Sequence, residues 1–279
     1  MNLKLKKTKI AGSVAVVLTA SLALALLYGP LIPWSPVKPG YRSASFARAD
    51  VYFNQAETLP ADYRLIDQMI NEAEEFHHLK FHRRMKVIAC KDWGSCKRCV
   101  PWMKINGVGG ITLATGDVIY ITPKLREKNF SVAEFLRHEL SHAVLHQNST
   151  IRNALKMTEQ AWFLEGLAVS FGRQTSYLSR KEFTERAVQT DLVPVLDPLS
   201  RAQSAAPPDA RFVYPAERFF IEYLKDKFGP GRFQQFLVKY LSDPDQCQNL
   251  FQEVFQMRLA DAIRDYEQAI KDGRWPMGD

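Results

Sequence analysis

The sequence holds one short stretch whose residue types and spacing point to chemistry: Phe135-Leu-Arg-His-Glu-Leu-Ser-His-Ala-Val144. On an α-helix, residues four apart stand one turn above each other on one face, so His138 and His142 can offer two imidazole nitrogens to a single metal ion. Glu139 lies about 100° around the helix from His138, beside such a metal but poorly placed to bind it. That is the place for a general base acting on a metal-activated water. A second charge stands alone further on. In Glu159-Gln-Ala-Trp-Phe-Leu-Glu-Gly-Leu-Ala-Val-Ser-Phe171, Glu165 is flanked by Trp162, Phe163, Leu164, Leu167 and Val169. A carboxylate in such surroundings is paired or bound to metal. A catalytic zinc site uses three protein ligands and keeps one position open, and His138, His142 and Glu165 complete that set with one Zn2+ per chain. The alternative for Glu165 is a buried ion pair with Arg173 or Arg218.

Two helices must carry these groups. Ser131 followed by Glu134 reads as a capping box, and Val132, Phe135, Leu136, Leu140, Ala143 and Val144 form a broad apolar face, as expected of a buried helix. Thr158 can cap the second helix.

His138-Glu-Leu-Ser-His142 followed by Trp162-Phe-Leu-Glu-Gly-Leu-Ala-Val-Ser170 resembles the gluzincin zinc metallopeptidases, and among them the peptidase MA-like family. The resemblance extends from roughly Val108 to Ala269 and implies peptide-bond hydrolysis by a zinc-activated water with Glu139 as base. It differs from the metzincins, because Leu145 and Asn148 stand where a glycine and a third histidine would be. The implied fold is α+β and zincin-like: a small N-terminal sheet with the active-site helix, then a mainly helical C-terminal lobe from about residue 147. In gluzincins the strand before the active-site helix borders the cleft and pairs with extended substrate, which here implies Val118–Thr122. The tail resembles the family too, with a helix from Tyr214 ending at Phe228-Gly229. A tyrosine at the start of that helix, Tyr214, could donate a hydrogen bond to an oxyanion. Some gluzincins carry an aspartate where this chain has Val169, so no partner for the second nitrogen of a ligand histidine can be named.

The remainder of the chain frames this centre. Its 279 residues are 46% hydrophobic and 24% charged, a composition that builds a sizeable core. Of the formal charge of +7, four units are Lys4, Lys6, Lys7 and Lys9, and the remainder of the chain carries +3. No Arg/Lys stripe interleaved with aromatics emerges, which argues against nucleic acid. Peptide or protein is the expected substrate, and nothing in the sequence speaks to oligomeric state. After a basic segment over residues 1–9, residues 10–28 hold no charge, and as a helix they would span about 28 Å. They predict a single-pass signal-anchor with the N-terminus cytoplasmic and the catalytic part outside. A cleaved signal peptide is the alternative. Residues 29–45, with Pro30, Pro33, Pro36 and Pro39, read as a stalk, leaving 46–279 as the catalytic domain.

Pro60 to His78 has helical periodicity, Met85–Cys90 reads as a strand, and Gly107–Thr122 as a hairpin turning at Ala114–Asp117. His77, His78 and His82 read as surface residues at a helix end. The four cysteines, Cys90, Cys96, Cys99 and Cys247, are expected to form disulfides in an oxidising compartment, with three pairings open. A bridge to Cys247 would pin the N-terminal part to the last helices; a zinc knuckle or a Cys-x-x-Cys redox centre is the rival. Leu192–Arg211, with four prolines, reads as a long loop, and helices are expected at about 232–241, 246–255 and 259–271. A non-catalytic zincin-fold protein that acts by binding a partner is the competing function, and the intact Glu139 favours an enzyme over it.

Overall fold

The computed structural model describes residues 2–35, 37–103, 105, 107–157, 161–197 and 209–275, with the side chains of the first helix described from residue 13. In chain order the elements are α1 (Asn2–Tyr28), β1 (Tyr41–Ser45), β2 (Ala49–Asn54), α2 (Ile66–His77), β3 (Met85–Ala89), α3 (Trp93–Cys99), β4 (Gly110–Thr112) and β5 (Val118–Ile121). Then come α4 (Lys124–Glu127), α5 (Val132–Gln147), α6 (Ile151–Met157), α7 (Ala161–Gly172), α8 (Arg180–Ala187) and α9 (Val193–Leu196). The described chain closes with α10 (Ala210–Phe228), α11 (Pro230–Ser242), α12 (Cys247–Phe255) and α13 (Leu259–Lys271). Thr158, and Pro36, Pro198, Pro207 and Pro208 of the expected stalk and loop, lie outside the described residues.

The fold is α+β. Five strands form one mixed sheet in the order β1-β2-β3-β5-β4, with the outer pairs antiparallel and the central pairs β2–β3 and β3–β5 parallel. Alternation sorts the side chains between two faces. Val51, Val87, Ile119 and Ile121 pack against α2 and the first half of α5. Ile88, Val118, Tyr120 and Ile111 point the other way, into a cluster with Cys90, Cys96 and Cys99. The helices after α5 close over a third core rich in aromatic rings, and Val144 and Leu145 at the end of α5 belong to it. α5 therefore runs between both lobes, and it is buried because each face has a different partner.

The hairpin is found where its turn residues place it: Gly116, at φ +72°, turns the chain between β4 and β5. The edge strand differs from expectation. β5 is hydrogen-bonded on both sides, by β3 and β4, so Val118–Ile121 has no edge free to pair with a peptide. β4 is the edge, and it lies against α5.

Three further expectations are corrected. Among the described residues no helix is long and apolar enough to cross a membrane. The single-pass arrangement and the orientation built on residues 10–28 fall with that. Second, residues 29–45 are not simply an extended stalk: Ile32 is buried in the cysteine-bearing cluster and Tyr41–Ser45 forms β1. Third, all four cysteines are free and buried, and Cys247 belongs to the helical core, away from the cluster that holds the other three. The tie between Cys247 and the Cys90–Cys99 segment is not made.

Candidate metal centre

Ser131 caps α5, its side chain accepting from the Glu134 N–H at 3.3 Å. The Glu134 carboxylate does not close the capping box. It reaches to Thr175 instead, accepting from the backbone N–H at 2.9 Å and from the hydroxyl at 3.0 Å. This clamps the segment that leaves α7 onto the start of α5. Arg173 ends α7 in the left-handed region, at φ +51°, and turns Gln174, Ser176 and Tyr177 back toward the cleft. The two helices come close because Gly172 carries no side chain, and a Cβ there would meet Glu134 O at 3.0 Å and His138 Cβ at 3.2 Å.

On the facing surfaces, the ligand set expected from the sequence converges. Nε2 of His138 and Nε2 of His142 are 3.2 Å apart. Glu165 Oε2 lies 3.3 Å from His138 Nε2, and Oε1 lies 3.7 Å from His142 Nε2. Arg218, one of the alternative partners of Glu165, pairs with Glu222. Three donors about 2.0–2.1 Å from a tetrahedral zinc would be separated by about 3.4 Å, so the observed spacings fit such an ion. The chemistry of the set fits as well: two imidazoles and one carboxylate, largely shielded from water, with atoms all within 4.8 Å of one another. A buried His138, His142 and Glu165 group that could hold a metal ion is what the structure places here.

Its electrostatics follow from burial. Burial alone would pull His138 down, but the adjacent Glu165 carboxylate outweighs it and raises the pKa. His142 is pulled down to about 3 by burial, so its ring is neutral and free to donate a lone pair at neutral pH. Glu139 is pushed up to about 7, chiefly by burial, with Glu165 adding to it and His138 and Thr112 opposing. Thr112, on the edge strand, donates to Glu139 Oε2 at 2.7 Å. Gly110 permits this approach: a Cβ there would stand 2.5 Å from Glu139 Cγ.

These groups line a cavity of about 690 Å³. Tyr214, the expected hydroxyl donor, lines it too, one turn inside α10, with its ring 5.1 Å from that of Tyr177. Burial first, and then Glu165, Glu139 and Glu217, raise the Tyr177 pKa, so its phenol keeps its proton.

Sequence reasoning missed Thr112, His146, Gln174 and Tyr177. His146 had a readable signal, since it continues the four-residue spacing of His138 and His142; its Nδ1 lies 3.0 Å from the Leu113 carbonyl. Gln174, buried at 4% exposure, lines the cavity, and neither its amide nor His138 Nδ1 has a hydrogen-bond partner among the described residues. Nothing local in the sequence marks Gln174 or Tyr177. His77 is the reverse case: expected at the surface, it is buried at 1% exposure, with Phe171 of α7 and Gln234 of α11 among its contacts.

Fold and site together define an α+β protein with a candidate metal centre between two helices. No protein-family model matches the chain, and the search of curated proteins found no match.

Proposed function

We propose that this protein is a zinc-dependent peptidase of the zincin type. The observation that carries the reading is the convergence of His138, His142 and Glu165 at a cavity that also holds Glu139. Zinc held by these three residues would supply Lewis acidity toward a scissile carbonyl and a nucleophile available at neutral pH. The remaining work belongs to side chains of this chain. Glu139, which lines the same cavity beside the three ligands, can take a proton from water and return it to the leaving amine. Thr112 holds the carboxylate in the orientation for that transfer. Tyr177 and Tyr214 line the cavity and, among the described residues there, carry the phenols from which an oxyanion could accept a hydrogen bond. An extended polypeptide could add to the outer edge of β4, Gly110–Thr112, which no described strand pairs.

The test is Glu139→Gln, assayed for hydrolysis of denatured casein beside the parent protein. Turnover should fall by at least about a hundredfold, the usual scale of a general base, while zinc content stays at one per chain. Equal hydrolysis by parent and variant would rule this mechanism out. Zinc binding without hydrolysis by the parent would favour a binding protein on the same fold.

A further inference from the structure

We propose that the cleft takes a polypeptide with a large apolar side chain followed by a carboxylate, the side chain resting on Phe130 and Phe135 and the carboxylate meeting Lys124. This deepens the peptidase reading and rests on it for the position of the scissile bond.

The apolar part is a stack of two phenyl rings. Phe130 and Phe135 lie parallel, with centroids 5.7 Å apart and planes within 8°. Phe135 is three residues before His138 on α5, so the stack begins one helical turn from the candidate metal centre. Gly109 covers it with bare backbone, since any Cβ there would collide with the Phe135 ring. Val108 and Met103 also line the cavity, at 37% and 38% exposure. Phe135, at 6% exposure, anchors this wall in the core beneath the sheet, and the half-buried Phe130 is the ring it presents to the cleft.

The charged part is Lys124. Its ammonium stands 5.9 Å from the Phe130 centroid and reaches the Gly107 carbonyl. Neighbour by neighbour, the order is His138, Phe135, Phe130, Lys124. No ion pair involves Lys124 among the described residues, and burial, with Lys128 adding to it, lowers its pKa. Among the described residues its ammonium meets a carbonyl oxygen and an aromatic face. The carboxylates lining the cavity are Glu139 and Glu165, both committed at the candidate centre. Lys124 and Arg211 are the cationic residues that line it among those described, and a divalent ion held by the ligand set would add two positive charges. The complementary ligand brings a negative charge to the Lys124 end. A C-terminal carboxylate and an Asp or Glu side chain both meet that requirement.

The experiment uses the full chain as Glu139→Gln, loaded with zinc, so that bound peptide is not consumed. Fluorescein-labelled peptides with a shared sequence ending Phe-Ala acid, Phe-Ala amide, Phe-Asp amide or Phe-Asn amide are titrated by anisotropy, with a Gly-for-Phe control for each. A carboxylate should tighten Kd by about tenfold over its amide partner, as for a partly desolvated charge pair, and replacing Phe by Gly should weaken every peptide. Adding Lys124→Met should erase the carboxylate advantage, and Lys124→Arg should retain it. Preference for the Phe-Ala acid alone assigns a chain terminus; preference for Phe-Asp amide alone assigns an internal acidic residue. Equal Kd values for acid and amide, a preference that survives Lys124→Met, or no binding at all would overturn the proposal. The peptidase reading is judged separately, by whether the parent protein cuts the peptide its variant binds most tightly.

Discussion

Two buried histidine environments in this protein differ in almost everything except burial. His138 and His142 sit within reach of a carboxylate that arrives from another helix, and with Glu165 they form a group able to hold a metal ion. His77, at the end of α2, packs edge-on against Phe76 and lies 6.0 Å from the Phe171 ring, and neither of its ring nitrogens has a hydrogen-bond partner. Burial, with Lys225 and His142 adding repulsion, drives its pKa down to about 3. Burial alone thus turns a histidine into a neutral core residue. A site arises only where a second element delivers a counter-charge, as Glu165 does from α7.

That contrast can be broken most severely at Glu165. Glu165→Ala should weaken zinc binding by on the order of a hundredfold or more, since loss of a partner that merely orients a ligand already costs 10–100-fold. Metal content after dialysis against a graded chelator series checks this, and His77→Phe, measured alongside, should bind zinc like the parent. If His77→Phe loses the metal as well, the two environments are not separate.

A smaller effect is expected at the point where the edge strand meets the base. Gly110→Ala places a methyl group 2.5 Å from Glu139 Cγ, so strand or carboxylate must shift. Casein hydrolysis should drop by about tenfold to a hundredfold with zinc retained, and stability should fall by about 1–3 kcal/mol, the usual cost of overpacking. Thr112→Val removes the hydroxyl that donates to Glu139 at 2.7 Å. The expected loss is about tenfold in kcat with KM little changed, the scale of one hydrogen bond to a charged group. Restored activity in Thr112→Ser would show that the hydroxyl is responsible rather than the methyl group.

The smallest effect belongs to His77 and concerns pH. Its folded pKa of about 3 lies below the ordinary histidine value of 6.5, so the unfolded chain takes up the proton first as pH falls. The stability tied to its neutral ring is fully present above pH 6.5 and is lost as pH drops toward 3, by at most about 1.4 kcal/mol per pH unit. His77→Phe should flatten the dependence of urea-melting free energy on pH between 6.5 and 5. An unchanged slope in the variant would mean that another group controls acid sensitivity in this range.

The local patterns were legible in the chain itself. Ser131 marks the start of α5, Leu259–Lys271 is a helix over the expected residues, and His138 and His142 share a face because a four-residue spacing is one helical turn whatever surrounds it. Glu165 stood out because a lone carboxylate in an apolar helix requires a partner, and local composition reveals such a requirement.

What the chain could not reveal is what comes to lie beside what. The edge of the sheet is β4 rather than β5 because strand order depends on pairings between distant segments, and both strands read alike as sequence. His77 is buried because elements far away in the chain close over it, with Phe171 of α7 and Gln234 of α11 among the contacts. Gln174 and Tyr177 enter the cleft because a left-handed Arg173 and the Glu134–Thr175 clamp turn their segment inward. Helical spacing is enforced by hydrogen bonds four residues apart and therefore survives in the sequence. The partner of a buried charge is selected by packing between segments far apart in the chain, and only the folded structure decides it.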